Sequence, residues 1–259
     1  MIPDERRTQI LTALHAKGYA SVEELAKTVY VSIPTIRRDL IIMEKDGQIR
    51  RTHGGALYVS PDSGIPPLAL RNQVHIEEKT KIGKMAASMI KEGQSIFIDS
   101  SSTGFYLVKS IPRDRQITVM TNGLVIAQAF DEHTRIHVEM TGGTYDRHHA
   151  CMVGWEAASF INQRYADWFF VSGNTMDDRH GITAYSSIDI PIKQAMAKNA
   201  RKTVLLMDHS KMDQVSYYQI FEWKDIDILV TDQQVTSSLE KACRENHVQI
   251  KTVSISQRE

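Results

Sequence analysis

The sequence predicts an α/β protein in two parts: a small, mostly helical unit over residues 1–57 and a larger parallel-sheet unit over 75–259, joined by a linker over 58–74. Three observations predict it. Helix-period apolar spacing fills the first 45 residues and gives way to a short β pattern ending at Tyr58. The stretch Val59-Ser60-Pro61-Asp62-Ser63-Gly64-Ile65-Pro66-Pro67 is then rich in Pro, Ser and Gly. Beyond Glu77, short apolar runs alternate with amphipathic segments, the grammar of a parallel sheet covered on both faces. A chain of 259 residues is comfortable for one small and one medium domain.

Within the first unit, Ile10, Leu11 and Leu14 fall at helical spacing over residues 4–17, closed by Gly18. Ser21-Val22-Glu23-Glu24 has the form of a capping box, in which hydroxyl and carboxylate each satisfy a first-turn amide. Leu25, Ala26 and Val29 continue that helix. After a tight Tyr30-Val31 turn, Ser32 is the expected N-cap of a third helix that ends near Lys45. Asp46-Gly47 breaks it, and Ile49–Tyr58 reads as a hairpin turning at Gly54-Gly55. Three helices, a tight turn between the second and third, and a hairpin describe a winged helix-turn-helix.

The larger unit reads as seven strands, at 95–99, 117–121, 136–140, 168–171, 203–207, 226–230 and 248–253, with amphipathic helices such as 79–90 and 237–246 between them. Ligands in such sheets bind at the carboxyl ends of strands.

Stepping about 100° per residue from Ile33 places Ile33, Ile36, Leu40 and Met43 on one face of the third helix, where they are expected to pack. Arg38 falls nearly opposite, with Thr35 nearby and Arg37 on the flank. Arg38 and Thr35 are expected to face base edges in the major groove, where arginine pairs bidentately with guanine. Ser32, Arg37 and the wing residues Arg50, Arg51 and His53 suit phosphates. The plain alternative is a solvated face on which Asp39 and Glu44 neutralise the arginines.

The run Val31-Ser32-Ile33-Pro34-Thr35-Ile36-Arg37-Arg38-Asp39-Leu40, followed by Glu44, Gly47, Ile49, Arg51 and His53-Gly54-Gly55-Ala56, is similar to the DeoR-type family of bacterial sugar-metabolism repressors, whose signature runs V-S-x-x-T-I-R-R-D-L and ends in H-G-G-A. The likeness extends over essentially the whole chain. It implies that the second unit resembles the sugar-phosphate isomerase fold and binds phosphorylated sugars as inducers.

A phosphate site needs hydroxyls and backbone amides at a helix start. Asp99-Ser100-Ser101-Ser102-Thr103-Gly104 offers them between an apolar strand and a helical segment. The same residues also suit an ordinary turn with a capping serine. Thr121-Asn122-Gly123 and Thr141-Gly142-Gly143-Thr144 end the next two strands, and three such ends favour one shared crevice. Lys193 lies on a helix, and Asp208-His209-Ser210-Lys211 follows another strand, where Lys211 supplies a point charge to a phosphate or pairs with Asp208 or Asp213. By the resemblance, Asp99–Thr103 matches the family's D-x-G-T-T loop, with Ser101 and Ser102 where that pattern has Gly and Thr. Thr121, Asn122, Gly142, Gly143, Asp208, Ser210 and Lys211 match it as well.

An aldose–ketose isomerase needs a carboxylate base to shuttle a proton between sugar carbons. Compared with ribose phosphate isomerases, Ile192 stands where the glutamate of a Glu-Lys pair is needed, and Asp189 is three positions off; no enzyme is expected. Arg147-His148-His149-Ala150-Cys151 lacks further ligands at metal spacing, so no metal and no cofactor are expected, and the histidines are read as aids to sugar choice.

Net charge is zero, so bulk electrostatics do not point to nucleic acid; the Arg37-Arg38 and Arg50-Arg51 pairs do so locally. The two cysteines, Cys151 and Cys243, are far apart, which fits a reducing cytoplasm. No membrane span or secretory signal is read. The expected function is a repressor of a carbohydrate operon that binds double-stranded operator DNA as a dimer or tetramer and responds to a phosphorylated sugar. An activator of the same architecture, or an isomerase-like enzyme with a DNA-binding appendage, are the alternatives.

Overall fold

The computed structural model describes residues 2–17, 19–46, 48–52, 54–58 and 68–253. Contacts divide the chain into two compact units, Met1–Val74 and His75–Glu259.

The first unit runs α1 (Pro3–Lys17), β1 (Tyr19–Ser21), α2 (Val22–Val29), α3 (Ile33–Lys45), β2 (Ile49–Arg51), β3 (Gly55–Tyr58) and α4 (Leu68–Arg71). The last of these lies within the stretch read as linker, and residues 59–67 lie outside the described residues. Ile10, Leu14, Leu25, Val29, Ile36, Leu40 and Met43 form its core, closed by Ile49 and Ala56 from the hairpin. The capping box is present: the Glu24 amide donates to Ser21 Oγ at 3.1 Å, and the Ser21 amide to Glu24 Oε2 at 2.9 Å. Strand β1 was not legible in the sequence; it pairs antiparallel with β3 so that the sheet order is β1-β3-β2. Gly55 makes that pairing possible, because a Cβ there would lie 2.2 Å from the Ala20 carbonyl oxygen.

Tyr30 closes α2 in the left-handed region, at φ 55° and ψ 45°, a conformation that is strained for a bulky residue. Tyr30→Gly is therefore expected to stabilise this unit by about 0.5–1 kcal/mol, net of the entropy glycine adds to the unfolded chain. Chemical denaturation followed by circular dichroism checks it; an unchanged or lowered midpoint contradicts the strain.

The second unit begins α5 (Ile76–Met89), β4 (Ser95–Ile98), α6 (Ser102–Ser110), β5 (Ile117–Thr121), α7 (Leu124–Gln128), β6 (Ile136–Met140), β7 (Thr144–Asp146), β8 (Cys151–Val153) and α8 (Trp155–Ile161). It continues β9 (Trp168–Val171), β10 (Thr175–Asp177), β11 (Gly181–Ala184), α9 (Ile190–Lys198), β12 (Thr203–Leu206), β13 (Tyr218–Phe221), β14 (Ile228–Thr231), α10 (Ser237–Glu245) and β15 (Gln249–Thr252). The seven-stranded sheet has the order β15-β14-β12-β9-β4-β5-β6 and is parallel throughout. All seven strands expected in this unit belong to it. Alternate residues feed opposite faces: Phe97, Phe169 and Leu205 enter one core cluster, and Ile96, Phe170 and Val204 the other.

Sheet growth runs outward from β4 to β6, then restarts at β9 on the other side of β4. The carboxyl ends of β4 and β9 thus flank the switch point, where an open α/β sheet leaves a crevice. Two small antiparallel sheets, β10-β11-β13 and β7-β8, accompany it. Among the described residues, no helix is long and apolar enough to cross a membrane.

Candidate functional site

Helix α3 buries Ile36, Leu40 and Met43, but not Ile33, which is 36% exposed. Its expected place in the core is taken by Asp39, only 2% exposed. Arg6 Nε and Nη2 reach the Asp39 carboxylate at 2.5 and 3.1 Å, and Arg7 Nε lies 3.5 Å away. This tie from α1 turns the buried arc by about 30° from the one expected, toward Asp39. The outward direction now passes between Arg38 and Ile41, near Pro34 and Lys45. Arg37 and Arg38 are both exposed. The carboxylates flanking them are engaged elsewhere, Asp39 by Arg6 and Arg7 and Glu44 by Arg51. Among the described residues the arginine pair is therefore not neutralised by Asp39 or Glu44.

Thr35 is half-buried and sits about 90° from the outward direction; its Oγ1 lies 2.9 Å from Ser32 Oγ. The Ser32 carbonyl accepts from the amides of Thr35 and Ile36 at 3.0 and 3.1 Å, so Ser32 starts the helix through its backbone, whereas its hydroxyl makes no capping bond. In the wing, Arg51 donates to Glu44 through Nε at 2.7 Å and through its amide at 2.9 Å. Burial pushes the Glu44 carboxyl up, and these bonds together with Arg50 outweigh it and hold it below its usual range. Arg51 thus fastens the wing to α3, leaving Arg50, which is half-buried, as the less committed wing cation. His53 lies outside the described residues.

At the switch point, the buried Asp99 carboxylate accepts from the Ser101 amide at 3.2 Å and, across the sheet, from the Ser172 amide at 3.1 Å. Lys193 Nζ, projecting from α9, donates to the Ser172 carbonyl at 3.1 Å and pairs with Asp189 at 3.1 Å and Asp99 at 3.5 Å. Lys211 Nζ donates to Ser172 Oγ at 3.0 Å and to the Gly173 carbonyl at 2.9 Å. Two ammonium groups therefore converge on Ser172 and Gly173, at the end of β9. From the sequence, Ser172 and Gly173 are read only as part of a strand flanked by Asp167 and Asp177, with no binding role, and Asp189 is set aside as three positions from Ile192. The i,i+4 spacing of Asp189 and Lys193 was the available signal.

Lys211 also acts on Asp208 through its charge. Burial pushes the Asp208 carboxyl up; Lys211, the Ser210 hydroxyl, Lys79 and His75 outweigh burial and hold it at about 2. Asp208 Oδ1 accepts from the Ser210 amide at 3.2 Å and from the Ser210 hydroxyl. Beside it, Asp232 accepts from the His209 amide at 2.7 Å and faces His209 Nδ1 at 2.5 Å. Glu78 completes a group whose donor atoms lie within 4.8 Å of one another.

The other expected residues divide by role. Ser101 Oγ caps α6 by accepting from the Gly104 amide at 3.0 Å, which is the ordinary-turn alternative at that residue. Its φ of −87° and ψ of 155° require no glycine there. Ser100 packs on the β5 turn, since a Cβ on Gly123 would lie 3.0 Å from Ser100 Cα. Thr121 Oγ1 accepts from the Gly123 amide at 3.0 Å, and Asn122 Nδ2 donates to the Met152 carbonyl at 3.2 Å, anchoring β8. Ser100, Ser102 and Thr103 are buried, while Gly142 and Gly143 are exposed. The three turns do adjoin, with the Thr141 amide donating to the Thr121 carbonyl at 3.2 Å. Only Asp99 among them joins the lysine cluster through the bonds described. In the His148-His149 turn, Asp146 accepts from the His149 amide and faces its Nδ1, both at 2.7 Å. Burial and the nearby carboxylates of Asp189 and Asp146 push the Cys151 thiol up to about 12, against the Ser100 bond and Lys193, so it stays protonated at neutral pH.

Comparison with known proteins falls in line with these two units. The profile described as a DeoR-like helix-turn-helix domain matches residues 6–62, and that of the DeoR C terminal sensor domain matches residues 74–233. The HTH-type transcriptional regulator GolR of Listeria innocua is 33% identical over 97% of this chain and 99% of its own. The HTH-type transcriptional repressor GlcR of Bacillus subtilis is 31% identical over 90% of each. Among solved structures, ribose 5-phosphate isomerase A of Methanocaldococcus jannaschii aligns with 52% of this chain and 53% of its own, at 14% identity and a TM-score of 0.38, too loosely to bear on the site. The class these units define is a DNA-binding transcriptional regulator, not an enzyme. The chain belongs to the DeoR family, with that family's helix-turn-helix and sensor domains.

Proposed function

We propose that this regulator represses a carbohydrate-use operon and leaves its operator when a phosphorylated sugar binds at the end of β9. The observation that carries the effector half is the convergence of Lys193 and Lys211 on Ser172 and Gly173. Cations gathered at a sheet switch point are the chemistry an oxyanion needs. Asp99 and Asp189 hold the Lys193 ammonium in place, and the ionised Asp208 beside Ser210 offers an acceptor to a sugar hydroxyl. The repressor named among its relatives supports repression over activation. On the DNA side, Arg38 reads a base edge while Arg37, Ser32 and Arg50 contact phosphates. Residues 1–57 are the reading domain and 75–259 the sensor. One short reading helix gives limited specificity, so a homodimer or tetramer on a two-fold operator completes the reading. The setting is the cytoplasm.

The purified protein is expected to retard a promoter fragment from its own genetic neighbourhood at low salt without added metabolites, and a sugar phosphate to release it. That same compound is expected to raise the melting temperature, because a ligand that prefers the folded state stabilises it. Failure to shift any such fragment overturns the DNA half. A panel of pentose and hexose phosphates that leaves the melting temperature unmoved overturns the effector half.

A further inference from the structure

The outward face of α3 carries an apolar side chain that packing within the domain does not account for. Ile41 is 52% exposed. It follows Arg38 by three positions and Arg37 by four, so it lies beside both guanidinium stems. One exposed isoleucine is ordinary on a protein surface. An isoleucine set among arginines on a groove-entering face is placed where every neighbour meets the nucleic acid.

The phosphate backbone offers an isoleucine no apolar partner. The major groove offers one, the C5-methyl group of thymine, which adenine, guanine and cytosine lack. Positions 38 and 41 are separated by about 4.5 Å along the helix axis, and base pairs are spaced by about 3.4 Å. Two side chains on the same face at that separation reach neighbouring base pairs. Resting on the assignment of α3 as the reading helix, we propose that Ile41 reads a thymine methyl on the base pair next to the guanine bound by Arg38. Each half-site then carries a guanine and a thymine on adjacent base pairs.

The test uses the full chain and a promoter duplex that it retards, synthesised with thymidine or with single deoxyuridine replacements, which delete one methyl each. At one position per half-site, deoxyuridine is expected to weaken the wild-type protein about fourfold, the value of one buried methyl. Ile41→Ala is expected to bind the thymidine duplex about as weakly as wild type binds the deoxyuridine one, and to be indifferent to the replacement. Alanine is a strong helix former at this half-exposed position, and an unchanged melting temperature shows that the fold is kept. If no single replacement matters to wild type, or if Ile41→Ala stays as sensitive as wild type, the methyl contact is refuted. A double substitution, Arg37→Ala with Arg38→Ala, separates the two levels: silent deoxyuridine with loss of specificity in the double variant removes only the methyl contact, whereas specificity retained in it removes the assignment of α3 as the reader on which the contact rests.

Discussion

Arg38→Ala is expected to lower specific operator affinity by about 5- to 150-fold per half-site, while binding to scrambled DNA falls far less. The magnitude follows from about 1–3 kcal/mol of base discrimination for a bidentate arginine. Arg38 is exposed, and Asp39 and Glu44 are engaged by Arg6, Arg7 and Arg51. Its removal therefore leaves the unit's packing intact, and an unchanged melting temperature is part of the expectation. Arg37→Ala serves as the contrast. A phosphate contact is lost evenly across sequences and reduces the salt dependence by roughly one counterion. Fluorescence anisotropy on operator and scrambled duplexes at several salt concentrations separates the two. A ratio of specific to non-specific affinity unchanged in Arg38→Ala removes base reading from that residue.

Which features the sequence disclosed follows from the range of the interactions that fix them. Caps, turns and apolar periods are local, and they placed α2, α3, the hairpin and all seven strands of the large sheet to within about two residues. Asp39 was misread because its partners Arg6 and Arg7 are more than thirty residues away. A carboxylate in a helix carries no local mark of burial, so Ile33 was assigned the place that an ion pair from α1 gives to Asp39. Ser172 was missed for the same reason, its amide being bound by Asp99 73 positions earlier. Asp189 is different: its pairing with Lys193 is an i,i+4 contact visible in the sequence, obscured by asking only what stood at Ile192. The strands β7, β8, β10, β11 and β13 escaped because their three- or four-residue runs, such as Thr144–Asp146 and Tyr218–Phe221, lack the near-continuous apolar character of most strands in the large sheet.

Lys211→Met is expected to weaken sugar-phosphate binding by about 30-fold or more and leave effector-free operator binding intact. Truncating one member of a desolvated, hydrogen-bonded charge pair costs about 2–5 kcal/mol in affinity, and the Lys211 ammonium is the group that bonds both Ser172 Oγ and the Gly173 carbonyl. Methionine keeps most of the stem's volume, so the change isolates the charge. A second readout belongs to Asp208. Its carboxyl, held at about 2 against an ordinary 3.8, stabilises the folded sensor domain above its unfolded-state value and loses that contribution as pH falls toward 2. Deleting Lys211 raises the folded-state value of Asp208, so part of its contribution is gone already at neutral pH and the acid-unfolding midpoint moves up. Asp208→Asn removes the titration and is expected to make that midpoint insensitive to Lys211→Met. Isothermal titration with the sugar phosphate that shifts the melting temperature, and acid unfolding followed by tryptophan fluorescence, measure the two effects separately. An unchanged effector affinity in Lys211→Met places the anion elsewhere, even if the acid midpoint moves. An unmoved acid midpoint means that Lys211 does not set the ionisation of Asp208, even if effector affinity falls.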